Sequence, residues 1–171
     1  MSALSLFRRT PGNPHPALTR VAEAFAVFAS GASTGLSLAH VLEKRPKKEL
    51  SAPLYLAVQK NLYRNWGRAG GILEPTAFSS AVALAILTRR DRRRAALALG
   101  AAALIAGSTG IWKAFIDPIN RRTRTWTEPE AMPGDWTRDR DRWERLHTLR
   151  AVLIALATSA LIIAATEPGR S

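Results

Sequence analysis

Four stretches of the chain, 24–39, 75–88, 95–112 and 151–166, carry no charged side chain, and clusters of Arg and Lys flank them. This alternation restricts the fold more than any other feature. A surface helix of a soluble domain places charged residues on its outer face every third or fourth position, and these stretches do not. The block 95–112 alone approaches the ~20 apolar residues that cross ~30 Å of hydrocarbon. The expected fold class is all-α: a four-transmembrane-helix bundle with an additional interfacial amphipathic helix between spans one and two. The expected spans are about 18–42, 69–88, 95–116 and 146–166, within one membrane domain over 18–167.

The average hides this pattern. Mean hydropathy is −0.06 because 25 Lys and Arg gather in the loops while the apolar residues gather in blocks. Residues 1–17, with Arg8, Arg9, Pro11, Gly12, Pro14 and Pro16, read as a flexible tail and not as a cleaved signal peptide. The absence of Cys excludes disulfides and thiolate metal sites. A net charge of +12 invites a nucleic-acid reading. With four spans in place, basic loops lying against anionic headgroups of a lipid bilayer account for it instead, and no nucleic-acid partner is expected.

Span one places Gly31 and Gly35 at the small-xxx-small spacing that permits close helix packing, and a homodimer through that face is one expectation. Ser30, Ser33, Ser37 and His40 follow at steps of three, four and three and share a face. The loop after it is basic and aromatic. Ser51 and Pro53 mark a helix start. Tyr55, Val58, Leu62 and Trp66 then recur at helical spacing, as in a helix lying in the interface plane, with Tyr63 and Trp66 suited to the headgroup belt. Span two carries Glu74 and Pro75 near its start. Counted from Pro75 it is too short to cross, so it either begins near 68–71 and bends at the proline or holds Glu74 in a re-entrant turn. Span three ends at Asp117-Pro118-Ile119-Asn120, and Asp135 is positioned to cap a long final helix through Trp136, Trp143 and His147.

Consecutive spans alternate direction. The end of span one, the start of span two, the end of span three and the start of span four therefore share one side, which gathers His40, Glu43, Glu74, Lys113, Asp117, Asn120, His147 and Arg150 into one layer. The opposite side offers only charge, including the turn 89–94. That short basic turn argues for cytoplasmic termini, which is the orientation expected, while the charge of the longer loops argues the reverse.

Three readings of the layer stay open. Two histidines and a glutamate are ligand types for iron, copper or zinc. The same groups serve as a general base and an orienting acid, with Arg150 or Asn120 stabilising an oxyanion or enolate. Or Glu74 pairs with Arg150 or Lys113 and the histidines cap helices. The need for a metal or cofactor stays open as well. Signatures of Ser-His-Asp hydrolases, dithiol enzymes, P-loops and dinucleotide folds are absent from the sequence.

The order of LSLAHVLE (36–43), LAVQKNLYRNWG (56–67), GGILEP (70–75), DPIN (117–120) and WERLHTLRA (143–151) resembles the four-span, anthrone-oxygenase-like membrane family, from about residue 20 to 165. Bacterial members are mostly of unassigned function. In fungal relatives the family is associated with oxidation of an anthrone to an anthraquinone by molecular oxygen. The resemblance implies roles for His40, Asn120, His147 and Arg150, while Glu74 matches bacterial-looking members. An anthrone is a carbon acid with an enol form, so a histidine that removes its proton yields a carbanion able to react with oxygen.

The expectation is thus a multi-pass protein of a bacterial plasma membrane, an oxygenase or oxidoreductase acting on a hydrophobic aromatic small molecule. In it His147 or His40 is the base, Glu74 tunes it, and Arg150 and Asn120 stabilise the anion. The alternative is a non-catalytic accessory or a lipid- or small-molecule-binding protein. A proton-coupled carrier is the third reading.

Overall fold

A computed structural model describes residues 15–167. Six α-helices follow in order: α1 Pro16–Lys48, α2 Ala52–Ala57, α3 Trp66–Leu87, α4 Arg92–Ile111, α5 Asp117–Thr125 and α6 Trp136–Thr166. Two wide π-helical turns adjoin them, Val58–Leu62 after α2 and Trp112–Ile116 between α4 and α5. Most of the tail expected over 1–17 lies outside the described residues. Its last part differs from expectation, because Pro16 and Ala17 already belong to α1. The locked φ of proline suits a first helical turn, where its missing N–H costs nothing.

Four long helices are apolar enough to cross a membrane, α4 doing so together with its continuation to Thr125. α1 packs on α3 and α6, and α4 packs on the same two, so α1 and α4 stand diagonally across a four-membered ring. The core is built chiefly of alanines (Ala26, Ala29, Ala81, Ala98, Ala157), with Leu84, Ile105, Ile154 and Leu161 filling the wider gaps. Small side chains let helix axes approach closely, which is how spans associate when lipid is as apolar as the core. Large apolar residues point outward instead, among them Phe25, Phe28, Leu38, Leu99 and Leu156. That inversion of the soluble pattern fits a multi-pass membrane protein.

Several boundaries differ from the sequence reading. α1 continues through Pro46 to Lys48, past the expected end at 42. α3 starts at Trp66 and runs unbroken through Pro75, so Glu74 lies on a continuous helix and not in a re-entrant turn. The helix expected between spans one and two is present as α2 and its wide turn, but Trp66 belongs to α3. Tyr55 and Leu56 are buried against Trp126 and Met132, so this face packs on the loop that joins α5 to α6. Among the described residues nothing lies within 4 Å of a Cβ added at Gly31 or Gly35, so no described helix uses their spacing for close packing.

Candidate functional site

The end of the bundle where α1 stops and α6 begins holds a cavity of about 600 Å³. All five candidate residues line it: His40, Glu74, Asn120, His147 and Arg150. Topological alternation put them in one layer, and packing brings them to one space. Lys113 is exposed and does not line the cavity, and Asp117 is taken up by Arg121 and Arg124. Glu43 accepts a hydrogen bond from the Tyr63 hydroxyl.

α1 delivers His40 from its buried face, one turn beyond Ser37 and two beyond Ser33. α6 delivers His147 beside it, with ring centroids 4.2 Å apart. Trp66 lies 4.6 Å from the His40 ring, Trp143 stands edge-on to it at 4.9 Å, and Tyr63 lies at 5.0 Å. Trp143 also packs on His147 at 4.1 Å. The two histidines thus sit in a cage of aromatic rings. His40 is only 6% exposed, yet its Nδ1 has no hydrogen-bond partner among the described residues. Leaving such an atom unsatisfied costs about 1–3 kcal/mol. The neighbouring Ser33 hydroxyl is also buried and unpartnered. Both residues line a space large enough for a small molecule, although the unpartnered atoms themselves are covered by protein.

The charged members are held differently. Arg150 donates through Nη2 to Glu74 Oε1 and through Nε to both the carbonyl and the hydroxyl of Ser108, at 3.1 Å each. The second carboxylate oxygen of Glu74 accepts from Thr109 Oγ1 at 2.8 Å. The pair therefore spans α3, α4 and α6, and each charge is neutralised where an isolated one would be costly. Asn120 accepts from Trp143 Nε1 at 2.8 Å through Oδ1. An indole N–H can only donate, so this bond fixes the amide with its oxygen toward Trp143 and leaves the NH₂ group for other partners.

Behind the cage lies a second buried pair that the sequence reading missed. Lys47 Nζ is 2.8 Å from Glu144 Oε1, with 3% and 1% of the two residues exposed. The same ammonium sits 4.9 Å from the ring centres of both Tyr63 and Trp143. It braces two walls of the cage through charge–ring attraction. Burial first, and then the Glu43 hydrogen bond, push the Tyr63 phenol well above its usual range, so it remains a protonated donor to that carboxylate. Tyr63 and Trp66, read as suited to the headgroup belt, form part of the cage. Tyr63 sits in the short turn between Leu62 and α3, and the helical periodicity of 55–66 conceals the change of direction there.

Among the described residues no group of three or more His, Asp or Glu is placed to hold one metal ion. Glu74, the carboxylate nearest to that role by sequence, is saturated by Arg150 and Thr109.

Residues 60–160 match the family model described as anthrone oxygenase. No curated protein and no solved structure matches the chain.

Proposed function

The chain belongs to the anthrone oxygenase family as a membrane protein with four spanning helices, and from that premise we propose that it oxidises a flat, hydrophobic aromatic ketone such as an anthrone with molecular oxygen. The observation that carries this reading is the pair of buried imidazoles, His40 and His147, whose ring centroids lie 4.2 Å apart in the wall of a ring-lined cavity. A carbon acid seated between His40 and His147 gives up a proton to one of the imidazoles, which acts as the general base. In this reading the NH₂ of Asn120 and the Arg150 guanidinium offset the negative charge that develops on the ketone oxygen. Glu74 acts through Arg150, holding it in place, and not on a histidine. The carbanion then passes its electrons to oxygen, and the net change is anthrone plus O₂ giving anthraquinone plus water. Burial of the site limits access of bulk water to the carbanion.

The test is oxygen uptake by the purified, detergent-solubilised protein supplied with an anthrone. Uptake should be present in the wild type and lost in both His40→Ala and His147→Ala, each of which still elutes as a folded species. Uptake that survives both substitutions would remove the histidines from the chemistry. Absence of uptake by folded wild type would favour the non-catalytic binding role.

A further inference from the structure

The aromatic cage accounts for the inner part of the cavity and leaves its outer part unexplained. Four cationic residues line the whole space, Lys60, Arg64, Arg124 and Arg150, against a single carboxylate, Glu74. Glu74 is spent on Arg150. The remaining three are exposed, whereas His40, Trp143 and His147 are buried, so the cations ring the opening and the rings lie within. They come from separate elements: Lys60 from the wide turn after α2, Arg64 from the turn before α3, and Arg124 from the end of α5. Lys60 is tied to this place, since its Nζ donates to the Thr127 carbonyl at 3.0 Å. Arg124 has only a 3.8 Å approach to Asp117, whose carboxylate also binds Arg121. Like charges gathered around one opening repel one another, and an anion seated there relieves that cost.

We propose that the molecule bound in this cavity is a hydrophobic anion, its flat apolar body among the buried rings and a carboxylate or comparably acidic group held at the opening by Lys60, Arg64 and Arg124. This rests on the aromatic-ligand reading of the same cavity and narrows it to a substrate class. A flat ketone with no acidic substituent fills the cage but leaves the rim unused. An acidic group at one edge also sets which face and which ring position meet His40, so the rim fixes orientation as well as affinity. The same chemistry is offered by the phosphate of a lipid headgroup, and the experiment separates the two sources.

The experiment measures binding, which does not require turnover. The full-length protein is placed in nanodiscs of zwitterionic phosphatidylcholine, and quenching of tryptophan fluorescence follows titration with an anthraquinone carboxylate or with unsubstituted anthraquinone. The carboxylate should bind about tenfold more tightly, the size of one charge-assisted hydrogen bond. The preference should shrink with added NaCl and approach unity in the combined Lys60→Gln, Arg64→Gln, Arg124→Gln variant. Equal affinities in the wild type would overturn the proposal, and so would a preference that the triple variant retains. Loss of carboxylate binding in nanodiscs containing phosphatidylglycerol, again dependent on the three cations, would assign the rim to lipid and overturn it as well. Binding of neither ligand would overturn both this inference and the aromatic reading. A rim-dependent preference in a protein that consumes no oxygen would uphold the anion site while removing the oxygenase.

Discussion

The two ends of the bundle each contain a largely buried arginine–carboxylate pair, and they use it differently. At the cavity end Arg150 binds Glu74 and Ser108, beside an imidazole whose Nδ1 has no partner. At the other end Arg94 binds Glu23, and its Nε donates to the Ala164 carbonyl at 2.9 Å, tying α1, α4 and α6 together. Asp91 caps α4 there by accepting from the Arg94 amide at 3.2 Å, and Arg93 reaches Glu167 at 2.9 Å. The buried polar groups of that end are satisfied by the chain itself. Buried charge is therefore a poor marker of function in this molecule, since both ends have it. Unspent hydrogen-bonding capacity in residues that line a cavity distinguishes them.

Four experiments would break or sharpen this contrast. The largest effect is expected on turnover. His40→Ala should lower anthrone-dependent oxygen uptake by about 10²-fold or more, the usual contribution of a general base, while Glu23→Gln leaves the rate close to wild type. An equal loss in both variants, seen at an oxygen electrode, would mean that the two ends are not functionally distinct. Next comes stability. Arg150→Met strands the Glu74 carboxylate and should cost about 3–5 kcal/mol in a detergent unfolding titration. Adding Glu74→Gln should recover part of that, since coupled residues are not additive. Arg94→Met should cost less, because water reaches its pair more readily: the side chains are 11% and 18% exposed there, against 8% and 10% for Arg150 and Glu74. Trp143→Phe keeps a ring in the cage but removes the bond to Asn120, and about 1 kcal/mol of stability should go with it. Oxygen uptake should fall as well if Asn120 orientation matters. The smallest effect belongs to Arg93→Gln, whose side chain is 58% exposed; a change above about 0.5 kcal/mol would contradict the weak value of exposed ion pairs.

The gathering of His40, Glu74, Asn120, His147 and Arg150 was legible because alternating spans leave little freedom about which ends meet. The Glu74–Arg150 pair was legible as one option among several, since an intramembrane carboxylate requires a partner. The Lys47–Glu144 pair was not. Both residues lie in runs of charge that resemble solvated loop or protruding helix, and nothing local to either segment shows that α1 continues to Lys48 and lies against α6. The cage was half legible: Trp143 shares a face with His147, but Tyr63 and Trp66 reach it only because the chain turns between Leu62 and Trp66. Cap signals were the weakest guide. Ser51 and Asp135 stand at helix starts as expected, yet neither side chain makes a capping bond, whereas Asp91 does.

The wide turn Trp112–Ile116 carries a consequence for helix phase. A π-helical turn accommodates one more residue than the α-helix around it, and each α-helical residue advances the direction of a side chain by about 100°. Everything beyond the turn is rotated by that amount relative to an uninterrupted α4. The Asn120 amide meets the Trp143 indole in this rotated setting. Removing a single residue from 112–116 would leave composition and hydrophobicity almost unaltered and would still turn Asn120 away from its partner. The site is thus specified partly by a count of residues, and not only by their identities.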